Sequence, residues 1–554
     1  MNARFSLPCW ALAGLVTVPA AAQVMNPMAI PPALAQDTFD LVVDEHIVNF
    51  YPGVSTNTYG ASASYLGPTL VLQQGDTARI RVHNQLAQLT SMHWHGMRVP
   101  GWADGGPPRE VLPGETWFVE FPVNNPAATF WYHPHPDGLT AEQAHMGVAG
   151  AIVVRDSAEA ALELPRTYGV DDLPVVVQDR RFAPNGNFVL GPYGDSVLVN
   201  GTPHAYVECP AQVVRLRLLN GSNARVYRFG FEDGRTFHVI AGDGGLLSAP
   251  VPTDRLPLSN GERAEVLVDL TGMEGDSLLL MSFGSELPLT VPGANNPIWE
   301  SSALNGMDFP VLRIRVTAPT ADPVTAIPAS LVAVDPPDEA DAIRTRTKEL
   351  AGMGMVGMGM FTINGLMFDP DVVNDTMLLG TTEVWEIVNN SNMAHPMHLH
   401  GGSFFVLDRN GAPPDPWEEG PKDVVLVDAG ATVRIIMRFD DLTDGWPFMY
   451  HCHNLMHEDN MMMLQYIVVD PNTGLAVVED PRALLFPVPT AGAVHYICPF
   501  APEALRITDA AGRTVHAEGP LPDRGALHLS LPPGPYTAVF STDRQRATAR
   551  LLVQ

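Results

Sequence analysis

His451-Cys452-His453-Asn454-Leu455-Met456-His457, with Met462 five residues further on, packs three imidazoles, a thiol and a thioether into twelve residues. Two histidines, a cysteine and a weakly held methionine form the donor set of a trigonal copper centre. Soft sulfur and imidazole together suit a metal that cycles between Cu(I) and Cu(II). On a strand, alternate side chains point to opposite faces, so Cys452 faces one way and His451 and His453 face the other. The tripeptide would then join two metal sites through its own backbone.

Three further clusters supply partners: His93-Trp94-His95-Gly96, His133-Pro134-His135 and His395-Pro396-Met397-His398-Leu399-His400. Ten of the 18 histidines fall in these four motifs, so they mark one shared chemistry. An H-x-H pair on an extended strand turns both rings to one face, as two adjacent metals bridged by a small molecule require. His398 and His400 share a face, while His395 lies an odd number of residues away. That parity assigns His395 to Cys452 and His457, unless Pro396 breaks the strand. Eight histidines remain, in four pairs. Without a metal, so many clustered imidazoles would each cost desolvation unless a partner were found. Cys452 could otherwise be an inert buried thiol, and the isolated His46, His83, His145, His204, His238, His495, His516 and His528 receive no role.

These four ordered motifs resemble the multicopper oxidases of the three-domain bacterial kind, which include laccases and periplasmic cuprous oxidases. The resemblance covers roughly residues 26 to 470. It implies four copper ions: a type 1 copper at His395, Cys452 and His457 with Met462 axial, and a type 2 copper at His93 and His398. A type 3 pair would be held by His95, His133, His135, His400, His451 and His453. It also implies electron entry at type 1 and reduction of dioxygen to water at the other three. Asp104, in Ala103-Asp104-Gly105-Gly106-Pro107, and Glu458, beside His457, match the acids that handle protons in that reaction. Outside that context Asp104 would read as a turn cap and Glu458 as a solvated charge.

At 554 residues the chain has room for three or four domains. Short alternating runs such as Ala78 to Val82, Trp117 to Phe121, Val213 to Leu219 and Ala431 to Ile436 lie between Gly, Pro, Asn and Asp turns, which predicts an all-β chain of antiparallel sandwiches. The resemblance makes these three cupredoxin-like Greek-key domains, at 37–157, 158–318 and 345–472, with the second free of copper ligands. A Pro/Ala/Asp-rich stretch from Ala318 to Ala342 reads as a linker.

Arg4, the apolar run from Phe5 to Val18 and Ala20-Ala21-Ala22 read as a signal peptide over 1–22, so a periplasmic, secreted or cell-surface location is expected. The run is short and interrupted by Pro8 and Pro19, and no later segment predicts a membrane span. Cys9 would leave with the signal, and Cys209, Cys452 and Cys498 suggest no disulfide framework. Residues 484–554 read as a small β-sandwich. They resemble the sorting domain of type IX secretion, with Gly534-Pro535-Tyr536 near the end but Val488 where an asparagine is usual. That resemblance implies outer-membrane secretion machinery as a partner; the alternative is a plain accessory domain.

The reducing substrate is less legible. Gly352-Met353-Gly354-Met355-Val356-Gly357-Met358-Gly359-Met360 stands where cuprous oxidases carry a methionine-rich insert, and thioethers select Cu(I). Met353, Met355, Met358 and Met360, with Met393, are therefore candidate Cu(I) ligands, although an apolar loop would have the same composition. Ser391 departs from the aspartate those oxidases have four residues before His395. The net charge of −29 attracts cations without choosing among them and disfavours nucleic acid. The expected function is oxidation of a small reducing substrate, chiefly Cu(I), with dioxygen. Laccase-type oxidation of phenols and amines is one alternative, and copper sequestration without turnover another.

Overall fold

The computed structural model describes residues 25–353, 360–443, 445–470, 484–486, 493–498, 500–509, 513–542 and 546–553. The signal peptide expected over 1–22, Met355 and Met358 lie outside the described residues. Two compact units emerge: the described residues up to Val372 with Thr381–Gln465, and Val373–Gly380 with the described residues from Tyr466 onward.

The first unit holds three sandwiches. In the first, a four-stranded sheet (Val54–Ala61, Phe39–Tyr51, Thr77–Asn84, Thr116–Pro122) packs on a five-stranded one ending in Ala128–His133 and His93–His95. Alternation does the work: along Thr116–Pro122 the buried positions are Trp117, Val119 and Phe121. They join Leu41, Ile80, Trp94, Phe130 and Ile152 in one core, each such side chain contributing about 1.5–3 kcal/mol on burial.

The second sandwich pairs a seven-stranded with a six-stranded sheet around a core that includes Leu216, Phe229, Val266 and Ile314. Its strand Val213–Asn220 is buried at every position, because Arg215 and Arg217 enter an ionic network that fastens the first two sandwiches together. Arg217 donates to Asp172 at 2.6 Å, Arg155 to Asp172 at 2.7 Å and Arg215 to Glu159 at 2.8 Å. Arg215 also pairs with Glu265, which accepts from Thr129 Oγ1 at 2.6 Å.

In the third sandwich, one sheet runs Met360–Ile363, Ala342–Met353, Thr382–Asn389, Thr432–Arg438 and Phe404–Arg409. The other places His395–Leu399 between Val424–Val427 and Phe448–Cys452. Trp385 and Tyr450 meet edge to face at 5.0 Å between the two layers.

The sandwiches are mixed rather than purely antiparallel, which corrects the sequence expectation. Phe39–Tyr51 runs parallel to Thr77–Asn84, Asp172–Arg180 to Val213–Asn220, and Ala342–Met353 to Thr382–Asn389. Crossover connections bring non-neighbouring strands side by side, and alternation alone does not encode strand direction. The stretch after Ala318 lies against the second sandwich: Val213 donates its N–H to Val324 at 2.8 Å and Leu331 donates to Ser248 at 2.9 Å.

In the second unit, Asp375–Leu378 pairs in parallel with the chain at Tyr466 to Val469. Farther on, a three-stranded and a four-stranded sheet share a core of Val494, Tyr496, Leu505, Leu527, Phe540 and Leu551, forming the small C-terminal sandwich. Among the described residues no helix is long and apolar enough to cross a membrane.

Candidate metal centre

Strand pairing brings the histidine motifs into register. His93 opposes His133, Trp94 opposes Tyr132 and His95 opposes Trp131. Trp94 turns into the core beside Trp117 and Tyr132, so the flanking His93 and His95 turn to the other face. In the third sandwich Met397 opposes Cys452 and His398 opposes His451. Pro396 leaves His395–Leu399 unbroken, and its carbonyl accepts from His453 N–H at 2.6 Å.

Eight rings converge between the first and third sandwiches, none more than 1 % exposed. Their inward nitrogens fall into three sets. His93 Nε2 and His398 Nε2 are 3.5 Å apart. His95 Nδ1 lies 3.3 Å from His133 Nε2 and 3.2 Å from His453 Nε2. His451 Nε2 lies 3.2 Å from both His135 Nε2 and His400 Nε2. Burial, followed by the crowding of neighbouring rings, holds His93, His95, His398, His400 and His453 well below the ordinary histidine range. Burial also brings His133 down to about 4. Neutral rings present lone pairs, which are metal ligands.

The outward nitrogens explain how the rings are aimed. His93 Nδ1 donates to the carbonyl of Asp104 at 2.9 Å, and His398 Nδ1 to the carbonyl of Asp423 at 2.8 Å. The two aspartate carboxylates then cross over: Asp104 Oδ2 accepts from His400 Nδ1 at 2.8 Å, and Asp423 Oδ1 from His95 Nε2 at 3.1 Å. Each sandwich thus orients a histidine of the other, and each crossing stacks two rings, His93 on His400 at 3.9 Å and His95 on His398 at 3.7 Å. His133 donates to Pro134 O at 2.8 Å and stacks on Trp131 at 4.2 Å. At His453 the second sandwich closes in with Gly261, where an added Cβ would stand 3.0 Å from ring atoms.

Both candidate acids are buried here, Asp104 at 2 % and Glu458 at 3 % exposed, so neither is a solvated charge. Glu458 Oε1 lies 3.3 Å from His135 Nδ1, and Oε2 lies 3.1 Å from His451 Nδ1. Burial pushes Asp104 up to about 6. Burial acts the same way on Glu458, but His135 and His451 outweigh it and hold that carboxyl at about 2.

A second cluster lies one residue away along the chain. Cys452 Sγ is 3.4 Å from His395 Nδ1 and 3.5 Å from His457 Nδ1. Burial pushes the thiol well above its ordinary range, so a bound soft cation is what would draw off its proton. Met462 is buried, with its N–H on His457 O at 3.0 Å and its carbonyl on Cys452 N–H at 3.1 Å. Phe361 covers both imidazoles, with centroid distances of 4.8 Å to His395 and 4.4 Å to His457. His395 Nε2 pairs with the hydroxyl of Ser391 at 2.8 Å. His457 alone of the three residues is partly exposed.

Sequence profiles described as multicopper oxidase match residues 43–159, 173–287 and 335–472. The chain belongs to the multicopper oxidase family. Among relatives, the multicopper oxidase mco of Staphylococcus haemolyticus is 34% identical, covering 76% of this chain and 86% of its own length. The cell division protein FtsP of Edwardsiella tarda is 35% identical, with coverages of 76% and 87%. A solved structure of the laccase-like multi-copper oxidase CueO from Ochrobactrum sp. superposes with a TM-score of 0.72 at 34% identity, over 80% of this chain and 100% of that one. This multicopper oxidase is therefore a copper-dependent oxidoreductase with three cupredoxin domains. Its donors suit copper: converging buried lone pairs are a poor arrangement for bare imidazoles, and a thiol flanked by two ring nitrogens suits a soft redox metal.

Sequence reasoning missed Asp423, Arg263, Trp131, Phe361 and Gly261. One usable signal was Gly96 directly after His95: its φ is +82°, and an added Cβ would fall 2.3 Å from Asp423 Oδ2.

Proposed function

We propose that this oxidase uses four coppers to couple one-electron oxidation of a reducing substrate, chiefly Cu(I), to four-electron reduction of dioxygen to water. The grouping of inward nitrogens into a pair and two triplets, beside the separate Cys452 set, carries this reading. His395, Cys452 and His457 would hold a type 1 copper with Met462 as the weak fourth ligand. His93 and His398 would hold type 2, and the two triplets would hold type 3. Copper, when bound, supplies one-electron storage and the activation of dioxygen.

The protein's own groups do the rest. Cys452 is bonded through the backbone to His451 and His453, one from each triplet, and His451 Nδ1 also lies 3.2 Å from Cys452 O. The two clusters thus share a continuous covalent path through one peptide unit on either side of Cys452. Asp104 sits against His93 and His400 and Glu458 against His135 and His451, placed to hold and pass protons at carboxylate oxygens. Asp104's ion-pair partners among the described residues are imidazoles, without a Lys or Arg to fix its charge.

The Cu(I) preference rests on placement. Met353 and Met360 pair across two adjacent strands, and the next residue, Phe361, lies on His395 and His457. Met353 and Met360, which bound the methionine-rich stretch, therefore lie near the Cys452 site. Ser391, a neutral group at His395, supports the second reading, laccase-type oxidation of phenols and amines. The signal-like N-terminus and the C-terminal sandwich support export, with residues 484–554 as a sorting module.

Oxygen uptake by copper-loaded protein with Cu(I) and with a bulky phenol, before and after Met353, Met355, Met358 and Met360 are changed to Leu, tests the proposal. Fast Cu(I) oxidation that collapses in the variant supports it. Dominant phenol turnover that ignores the substitutions makes the enzyme a laccase. No uptake with either leaves a non-catalytic role, such as copper sequestration.

A further inference from the structure

We infer that Asp423, clamped by Arg263, is a positioning residue that decides which nitrogen His95 presents to the metal cluster. An imidazole can offer either nitrogen, and the one that binds metal leaves its proton on the other. Seven of the eight cluster histidines turn Nε2 inward, whereas His95 turns Nδ1 inward. The reversed ring needs an acceptor at Nε2, and Asp423 Oδ1 is there at 3.1 Å.

That carboxylate is held rigidly. Arg263 donates to Oδ1 and Oδ2, both at 2.6 Å. Its remaining N–H groups go to Thr129 O at 3.0 Å, Gly261 O at 3.1 Å and Asp243 O at 2.7 Å. All five guanidinium donors are thereby used, and the second sandwich, which contributes no ligand, sets the orientation of one. Lys422 extends the cluster, donating to Glu262 at 2.8 Å and pairing with Asp243 at 3.0 Å. Asp104 makes the matching crossover to His400 without such a clamp. The two aspartates are therefore held differently: Asp423 by a guanidinium on both oxygens, and Asp104 by ion pairs with imidazoles.

This inference rests on the copper reading above. The test loads wild type and Asp423→Asn with copper, counts metal per chain, and follows its loss to a Cu(I) chelator. The blue absorption of the Cys452 site serves as an internal control for folding. Outer partners of metal ligands typically govern affinity by about 10–100-fold. The expected result is loss of cluster copper from the variant faster by that factor, with the blue band intact, and recovery in Asp423→Glu. Equal retention in Asp423→Asn overturns the inference. If Asp423→Asn fails to fold, Arg263→Lys keeps the carboxylate but loosens it and should release cluster copper faster than wild type; equal retention there overturns the inference too. A wild-type protein that takes up no copper refutes the underlying reading instead.

Discussion

Asp459 caps a helix that belongs to another domain: its carboxylate accepts the backbone N–H groups of Thr140 and Ala141, each at 2.9 Å. The helix Thr140–Met146 has no side-chain cap of its own, because its N-cap residue is Leu139. Asp459 ends the short helix Leu455–Asp459, which carries His457 and Glu458. A contact between the first and third sandwiches therefore also steadies a metal-site residue and a candidate proton carrier. Replacing Asp459 by Ala should cost about 1–2 kcal/mol, the scale of a lost N-cap. Denaturant titration measures it, and Asp459→Asn, which keeps one acceptor oxygen and replaces the other by a donor, should recover only part of the loss.

Acid should loosen the joint between the first two sandwiches. Burial alone would raise Asp172 and Glu265, but Arg217 and Arg215 outweigh it and hold both carboxyls below their ordinary range. Groups with depressed folded values contribute stability that is full above the unfolded value, about pH 4, and is lost as pH falls toward the folded one. The stability that this network adds, read as melting temperature, should therefore be level near neutrality and be lost below about pH 4. Asp172→Asn should cost about 3–5 kcal/mol at pH 7, since it strands buried guanidinium groups, and should flatten that acid limb.

Gly261→Ala should injure the cluster from a sandwich that supplies none of the eight converging rings. The position has a φ of +83°, and the new Cβ would press on His453. Left-handed backbone costs a non-glycine residue about 1–2 kcal/mol, and the ring must also shift. Copper content of the cluster should drop while the blue band persists; a variant with unchanged copper and melting temperature contradicts this.

Removing copper should lower the melting temperature of the three-sandwich unit without unfolding it at room temperature. Its apolar cores are independent of the ligands, and a site filled at about 1,000 times its Kd adds only about 4 kcal/mol. Calorimetry of chelated and loaded protein measures the shift, which should spare the transition of the C-terminal sandwich with its own core.

The legible parts of this chain were those encoded over short spans. Alternation marked the strands, and the H-x-H and His-Cys-His spacings marked which rings share a face, because a strand fixes both within three residues. Arg215 and Arg217 look like the wet side of an ordinary strand, yet their charges are spent on Asp172, Glu159 and Glu265, so only tertiary contact explains them. Asp423 lies 328 residues from His95, and 160 from Arg263. Nothing local distinguishes it from the other acids of a strongly acidic chain. Strand direction was likewise hidden, since parallel neighbours arise from how crossovers route the chain.

The crossing of Asp104 to His400 and of Asp423 to His95 bears on timing. A chain emerging from the ribosome N-terminus first, at about 5–20 residues per second, exposes His95 on the order of tens of seconds before Asp423 exists. Until then His95 lacks the acceptor that fixes its tautomer, whereas the acceptor for His400 belongs to a segment already made. Neither half can hold metal in its finished geometry alone. A cluster in its finished geometry therefore reports that the first and third sandwiches have been made and joined, a checkpoint written into two hydrogen bonds.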